Sequence, residues 1–238
     1  MIFNQYFYCP DLTNPVVTLS AEESEHCCRA LRHHVGDEIL LTDGKGILGT
    51  ATVMVDNPKA CMIEITETHE AADKNRCRLH LVIAPTKNID RIEWLVEKCV
   101  EIGIEAISFI ICDNSERPRV NMDRLQRIAI SALKQSQTSW LPPMELLSFK
   151  EFLEKHAEEA ADKYIAWCDD ENTRQLATEH FQYDSVILLV GPEGDFSEEE
   201  VSMAKNMGYA EIKLGNRRLR TETAGLYGCL LLAAKEWM

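Results

Sequence analysis

The sequence contains no hydrophobic run long enough to cross a bilayer. Its richest apolar stretches, residues 106–112, 186–190 and 226–234, have the length of core elements, whereas a membrane span needs ~18–20 apolar residues. Residues 1–6 contain no basic segment leading into an apolar one, so a signal peptide is not indicated. We therefore expect a cytoplasmic protein that has no membrane partner.

Cysteine spacings typical of metal centres are missing as well. The chain has nine cysteines, an odd number, and no two are spaced as C-x-x-C. Most lie inside apolar segments, which is typical of reduced core thiols in a cytosolic protein. Cys27 and Cys28 beside His26 could suggest a metal or redox site, but adjacent residues of an α-helix point about 100° apart and chelate one ion poorly. We therefore predict no metal.

Positive charge is scarce. The chain has 25 Lys and Arg residues against 39 Asp and Glu residues, a net charge of −14, which argues against indiscriminate binding to nucleic acid. The basic residues are nevertheless concentrated: residues 213–220 contain four and no acidic residue, and residues 114–134 contain five against two. We expect cationic patches on an acidic body, although Arg124 and Arg127 could equally lie on solvated helix faces.

Patterning divides the chain near residue 70. Residues 1–70 contain short β segments around one helix, residues 68–76 are polar and aperiodic, and apolar strands alternate with helices from 77 to 238. The sequence therefore predicts a β-rich domain at 1–70, a linker, and an α/β domain at 77–238 with a parallel sheet covered on both faces. The predicted helices are 20–33, 89–102, 125–132, 149–161, 197–207 and 223–238, and the predicted strands are 3–8, 38–42, 49–54, 61–67, 79–84, 106–112, 164–168, 185–190 and 211–214.

The chain contains neither a Walker A sequence nor a G-x-G-x-x-G sequence, which argues against a P-loop hydrolase and against a Rossmann-type methyltransferase. After the strand at 185–190 it has Gly-Pro-Glu-Gly at 191–194, and then a capping box of Ser197 and Glu200. Glycines permit close approach of a ligand to the backbone, and open α/β sheets bind ligands outside the carboxyl ends of their strands. A tight strand-to-helix turn without a ligand is the alternative.

A second loop follows the last predicted strand. Residues 214–225 have the sequence Leu-Gly-Asn-Arg-Arg-Leu-Arg-Thr-Glu-Thr-Ala-Gly, in which a cationic turn leads into a helix. Three arginines packed with Glu222 are costly unless they meet an anion or a substrate. The alternatives are that Thr221 and Thr223 only cap the helix, and that Arg220 and Glu222 form a local ion pair.

The two loops and three upstream segments together resemble one family. The first segment, 87–103, begins Lys-Asn-Ile-Asp-Arg-Ile-Glu-Trp and ends Ile-Gly. The second, 134–142, begins Lys-Gln-Ser and ends Leu-Pro. The third, 26–37, begins with His26, contains Ala-Leu-Arg at 30–32 and ends Gly-Asp. On these motifs the chain resembles the ribosomal RNA small subunit methyltransferase E family, of the SPOUT superfamily, over nearly its whole length. It departs from that pattern at Asp195, where many relatives have glycine, at Arg218, where an aliphatic residue is usual, and after Ser136, where an arginine is often found.

The resemblance implies an α/β protein with an N-terminal PUA-like β-barrel, followed by a SPOUT domain with a C-terminal trefoil knot. It implies transfer of a methyl group from S-adenosyl-L-methionine to N3 of a uridine in small-subunit (16S) ribosomal RNA. We expect the assembled 30S subunit as substrate, because an acidic protein that attracts RNA weakly must recognise shape. The resemblance also implies a homodimer, for which Leu226, Leu230, Ala233 and Ala234 form a candidate interface or plain core.

The resemblance also implies roles for single residues. Arg220 would steady a uracil oxygen or grip a phosphate, and Glu222 would orient that group or accept the proton, unless it only caps its helix. The predicted cofactor-binding residues are Leu189, Val190, Gly191, Pro192, Glu193, Gly194, Leu214, Gly215, Arg218, Leu219, Thr223 and Ala224, and the predicted RNA contacts are Arg32, Lys87, Arg91, Lys134 and Arg217. Two other functions stay open: a knotted methyltransferase that acts on another RNA, such as transfer RNA, and a catalytically silent RNA-binding protein.

Overall fold

The computed structural model describes residues 5–71, 78–167 and 173–237. Their strands are β1 (Tyr6–Tyr8), β2 (Val16–Thr18), β3 (Glu38–Thr42), β4 (Ile47–Val55), β5 (Met62–Glu70), β6 (Arg78–Ile83), β7 (Ala106–Ile111), β8 (Met144–Ser148), β9 (Asp162–Ala166), β10 (Ser185–Val190) and β11 (Ala210–Ile212). Their α-helices are α1 (Ala21–Glu25), α2 (Ile89–Ile102), α3 (Met122–Ser136), α4 (Phe149–Lys155), α5 (Glu198–Asn206) and α6 (Thr221–Trp237).

The chain divides into two compact units. One contains residues 1–74 together with 130–141, and the other contains 75–129 and 142–238. The division predicted from the sequence, at 1–70 and 77–238, placed residues 130–141 in the C-terminal domain. In the structure these residues, the end of α3 and the loop after it, belong to the N-terminal unit. Of the predicted linker, residues 68–70 belong to β5, and residues 72–76 lie outside the described residues.

A five-stranded mixed sheet forms the N-terminal unit, in the order β1-β3-β4-β5-β2. Only β1 and β3 pair in parallel within this sheet of described residues. Two register shifts between β4 and β5 bend the long strands, as bulges do. Phe7, Leu41 and Ile63 are fully buried beneath the sheet, so the alternating pattern of the sequence marks the inward face correctly.

The predicted helix at 20–33 is wrong in its second half. The α-helix ends at Glu25, a π-helical turn covers His26–Ala30, and Arg32 has a left-handed backbone with φ of 59°. The capping box is half formed: Ser20 Oγ accepts from Glu23 N at 3.2 Å, but the Glu23 carboxylate turns to Lys134 Nζ at 2.6 Å. The ion pair with Lys134 therefore takes the carboxylate away from the helix start.

A six-stranded parallel sheet forms the C-terminal unit, in the order β11-β9-β10-β6-β7-β8. On one face Ile187 and Leu189 of β10 pack with side chains of α4 and α5. On the other face Leu188 lies so close to Gly228 of α6 that a Cβ there would stand 2.3 Å from it. Burial on both faces explains why all of β10 is apolar and buried, which confirms the strand predicted at 185–190.

Two predictions in this unit need correction. The predicted helix at 149–161 ends at Lys155, and the carbonyls of His156 and Ala157 just beyond it accept from the Lys163 ammonium at 2.8 and 2.7 Å. Strand β8 was missed, since it is a half-buried edge strand with no apolar run.

Parallel pairing brings the carboxyl ends of all six strands to one edge of the sheet. The loops at 84–88, 112–121, 191–197 and 213–220 leave that edge and connect the sheet to the helices. No helix among the described residues is both long enough and apolar enough to span a membrane. The trefoil knot stays a prediction.

Candidate active site

The first loop follows β10 and is built around two glycines. A Cβ on Gly191 would stand 3.0 Å from the Phe196 ring, and a Cβ on Gly194 would stand 3.1 Å from Asn114 Cβ, so a side chain at either position would press its neighbour back by a few tenths of an ångström. Asp195 has φ of +64°, a conformation that glycine adopts freely and aspartate tolerates. Its carboxylate accepts from Phe196 N at 2.9 Å, which stabilises the turn.

Side chains connect this loop to its neighbours along the sheet edge. Glu193 Oε1 accepts from Lys87 N at 2.9 Å, so the carboxylate predicted to face the cofactor holds the loop after β6. Asn114, after β7, donates from Nδ2 to the carbonyl of Asp195 at 3.1 Å. The predicted Ser197–Glu200 capping box is confirmed, with both of its hydrogen bonds present. The result is a rigid backbone frame around Gly191 and Gly194.

Arg117 is a structural residue of this edge that sequence reasoning missed. Its guanidinium donates to the Lys87 carbonyl at 2.7 and 3.1 Å and to the Thr86 carbonyl at 3.2 Å. It thereby ties the loop after β7 to the loop after β6. The only sequence signal was its place in the basic segment 114–134, which does not distinguish a residue that binds backbone carbonyls from one that binds an anion.

The second loop is exposed and cationic. Gly215 has φ of +147°, which L side chains rarely adopt, and the five residues after it are exposed. Within the described part of the chain, no ion pair or hydrogen bond engages the guanidinium of Arg217, Arg218 or Arg220. Unpaired guanidinium groups at a strand end are available to an anion or to a polar ligand.

The helix after this loop begins with a buried carboxylate. Glu222 is 7% exposed, and its Oε1 stands 3.6 Å from Arg91 Nε on α2. Its Oε2 is buried and has no hydrogen-bond partner among the described residues. A buried polar atom without a partner is rare in native structures, so Oε2 is a candidate acceptor for a bound ligand.

The remaining cofactor candidates surround the same edge. Leu189, Val190 and Pro192 are buried, and Leu214 and Ala224 are half-buried. Leu219 and Thr223 are exposed. The loops after β10 and β11 therefore bring all twelve predicted cofactor residues to the carboxyl edge of one sheet, on strand ends, loops or the first turn of α6.

The predicted RNA contacts do not form one set. Lys87 and Arg91 lie in the C-terminal unit with Arg217, and an ion pair with Glu116 at 2.8 Å raises the pKa of the exposed Lys87 ammonium. Arg32 is exposed in the N-terminal unit. Lys134 also belongs to the N-terminal unit, but its ammonium is bound to Glu23 and its side chain is only 11% exposed.

Comparisons with known proteins agree with this architecture. A family model described as an RNA methyltransferase domain matches residues 73–233, and one described as an RNA methyltransferase PUA domain matches residues 19–66. A Synechocystis protein named ribosomal RNA small subunit methyltransferase E is 27% identical over 87% of this chain and 69% of its own length.

Solved structures give the same result. A Porphyromonas gingivalis protein described as a "probable rRNA-methyltransferase" is 37% identical, has a TM-score of 0.88, and is matched over 98% of both chains. The ribosomal RNA small subunit methyltransferase E of Neisseria gonorrhoeae, solved with S-adenosyl methionine bound, is 27% identical, has a TM-score of 0.86, and is matched over 97% of both chains. The expected fold class, a PUA-like domain followed by a parallel-sheet α/β domain, is confirmed. The chain belongs to the family of RNA methyltransferases that includes the ribosomal RNA small subunit methyltransferase E proteins, the family that the sequence motifs indicated.

Proposed function

We propose that this chain transfers a methyl group from S-adenosylmethionine to N3 of a uridine in 16S ribosomal RNA. The proposal rests on the carboxyl edge of the parallel sheet. A loop with two glycines, three arginines that no described residue pairs with, and the buried carboxylate of Glu222 all lie there. Relatives named for methylation of small-subunit ribosomal RNA match along 87–90% of the chain, which supports the choice of RNA.

The residues of this edge fit S-adenosylmethionine. Gly191 and Gly194 let the loop after β10 pack closely against Phe196 and Asn114, and Gly215 adopts a φ of +147° that L side chains rarely take, so glycines shape the backbone of both loops at this edge. When bound, the cofactor supplies a methyl group already activated on a sulfonium, so the proposed reaction needs no metal. The protein's task is then to align the target nitrogen and to help remove its proton.

Arg220 is the proposed catalytic residue. It is exposed at the end of the cationic loop and its carbonyl accepts from Ala224 N at 2.7 Å, so the first turn of α6 fixes its backbone. A guanidinium there can stabilise the uracil oxygen that gains charge when N3 loses its proton, or hold a neighbouring phosphate.

Glu222 is proposed to act next to it. One carboxylate oxygen is directed at Arg91, and the other is buried and free to accept a hydrogen bond or a proton from a bound substrate. A carboxylate near a helix N-terminus is also stabilised by the helix dipole, so a purely capping role is the alternative.

The proposed RNA contacts are cations that solvent reaches. Lys87 and Arg217 in the C-terminal unit and Arg32 in the N-terminal unit are exposed, and Arg91, with a side chain 35% exposed beside Glu222, is retained with them. Lys134 is left out because its side chain is only 11% exposed and is paired with the buried Glu23. A net charge of −14 weakens general attraction to RNA, which favours the folded surface of an assembled 30S subunit over protein-free RNA. We also propose that the chain forms a homodimer.

Calorimetric titration with S-adenosylhomocysteine, the product form of the cofactor, is the first test. Saturable binding supports the methyltransferase assignment, and absence of binding at high concentration would favour a silent RNA-binding protein. The second step incubates 30S subunits, protein-free 16S RNA and transfer RNA in separate reactions with labelled cofactor and identifies the methylated nucleoside by mass spectrometry. Label in N3-methyluridine on subunits supports the proposal, and label only in transfer RNA would identify the related enzyme class instead.

A further inference from the structure

Three thiols converge in the core of the N-terminal unit. Their sulfurs, on Cys27, Cys28 and Cys61, all lie within 4.8 Å of one another, and the Cys27 and Cys61 sulfurs are 4.0 Å apart. All three cysteines are free of disulfides. Cys27 and Cys61 are fully buried, and Cys28 is half-buried.

The backbone explains why adjacent cysteines can point to one place. Cys27 and Cys28 lie in the π-helical turn His26–Ala30, whose i→i+5 hydrogen bonds widen the helix and reduce the angle between successive side chains. Cys61 is fixed opposite them, because its N–H donates to Ser24 Oγ at 2.9 Å and Ser24 Oγ donates to the Leu19 carbonyl at 3.1 Å. The α-helical spacing that argues against a metal site therefore does not apply here.

Sulfurs that share one ion at about 2.3 Å stand roughly 3.8 Å apart around a tetrahedral ion and about 4.0 Å apart around a trigonal ion. The observed 4.0 Å between two of the sulfurs lies in that range. We propose that Cys27, Cys28 and Cys61 form a binding site for one thiophilic metal ion, with Zn²⁺ as the first candidate and Cu⁺ as the alternative of the same chemistry. Thiolate ligands select these ions, and Zn²⁺ would take a water as its fourth ligand on the side of the half-exposed Cys28.

Charge favours Zn²⁺. Binding exchanges three thiol protons for one ion and leaves a net charge of −1 with Zn²⁺ but −2 with Cu⁺, and the smaller buried charge costs less. Affinity therefore rises with pH, by up to about a thousandfold per pH unit if all three thiols start protonated.

The test uses the untagged full-length chain, reduced and stripped of metal, and titrates it with Zn²⁺ against a chromophoric chelator. We expect one ion per chain and a raised thermal midpoint. Cys28→Ser, a half-buried and nearly isosteric change, should lower the affinity by at least about tenfold. Cys9→Ser is the matched control, because Cys9 is buried in the same unit outside the cluster, and it should bind as the wild type does.

Several outcomes would overturn the inference: no stoichiometric binding, equal binding by wild type and Cys28→Ser, or formation of a Cys27–Cys61 disulfide in place of metal uptake. A parallel titration with Cu⁺ under anaerobic conditions distinguishes the two ions. Tighter retention of Cu⁺ than of Zn²⁺ against matched chelators would support the site and identify Cu⁺ as its ion. None of these readouts depends on methyl transfer. The metal-site inference is therefore tested independently of the proposed function.

Discussion

At the residue scale, solvent exposure changes sharply where the cationic loop meets α6. Arg220 is exposed, whereas Thr221 and Glu222 are each 7% exposed. We expect Arg220→Ala to lower kcat for methyl transfer by about 10²–10³-fold, the usual effect of losing one donor to a developing oxyanion. Affinity for S-adenosylhomocysteine should stay within about twofold by calorimetry. Arg119→Ala, an exposed arginine of the same unit, is the control, and unchanged turnover of Arg220→Ala would contradict the assignment.

Glu222→Gln tests the neighbouring carboxylate, since glutamine keeps the shape and hydrogen-bonding capacity but cannot accept a proton. If the free oxygen takes part in the reaction, kcat should fall by about 10²-fold or more and its pH profile should change. Thermal stability should change little, because Arg91 keeps a polar partner at 3.6 Å. Wild-type turnover combined with a lower melting temperature would instead assign Glu222 to helix capping.

Lys134 shows how a motif residue can be structural. Its ammonium lies 2.6 Å from Glu23 Oε1, and the two side chains are 11% and 5% exposed. Removing one partner leaves a buried charge, so Lys134→Ala should lower the free energy of unfolding by about 3 kcal/mol. Denaturant titration measures this, with Arg217→Ala as an exposed control. Loss of RNA affinity at unchanged stability would restore Lys134 as an RNA contact.

At the element scale, a polar network crosses the sheet of the C-terminal unit. His80 Nε2 on β6 lies 2.8 Å from Ser108 Oγ on β7, and Ser108 Oγ donates to Glu145 Oε1 on β8 at 3.0 Å. The ring of His156, in the turn after α4, meets the His80 ring edge to face, with centroids 5.2 Å apart and planes inclined by 74°. Burial, with the neighbouring His156 as a lesser cause, lowers the pKa of His80 to about 4, while Glu145, Glu159 and Lys155 have smaller and partly opposing effects.

A lowered histidine pKa destabilises the fold in acid. His80 binds its proton near pH 6.5 in the unfolded chain and only near pH 4 in the folded chain. The contribution of neutral His80 to the free energy of unfolding is therefore fully present above about pH 6.5 and is lost as the pH falls towards 4. Between pH 7 and 4.5 the loss should be about 2 kcal/mol. His80→Gln should remove that share of the pH dependence, and His180→Gln, an exposed histidine of the same unit, should not. Parallel pH profiles for wild type and His80→Gln would disprove this account.

Local sequence patterns correctly predicted the elements whose conformation depends mainly on residues within the element itself. The apolar run at 185–190, the amphipathic spacing at 89–102 and the Ser197–Glu200 box are all found as predicted. The failures arise where side-chain contacts that follow no periodic pattern are formed. The Lys163 ammonium binds the carbonyls of His156 and Ala157 just beyond the end of α4, and the Glu23 carboxylate is taken by Lys134, more than a hundred residues away. The thiol cluster likewise depends on a π-turn and a strand start that no sequence period reveals.

At the scale of the whole molecule, apolar surface on the C-terminal unit supports association. Trp94 on α2 is 43% exposed, and Tyr227 and Leu230 on α6 are each 40% exposed, while α2 and α6 pack together. Of the C-terminal stripe suggested by the sequence, Ala233 is buried in the core at 2% exposure, so only its outer members can contact a partner. Large exposed aromatic and aliphatic side chains are typical of the centre of a protein interface.

A charge at that surface should separate the subunits. We expect the wild type to have the mass of a dimer by size-exclusion chromatography with light scattering, and Leu230→Glu to have that of a monomer. A buried unpaired carboxylate costs about 3 kcal/mol or more, which raises the dissociation constant by two orders of magnitude. Val35→Glu, at the 61% exposed Val35 of the N-terminal unit, should leave the dimer intact. A wild type that stays monomeric at every concentration would contradict the homodimer, and the assembled ribosomal subunit would then be the first other partner to test at this surface.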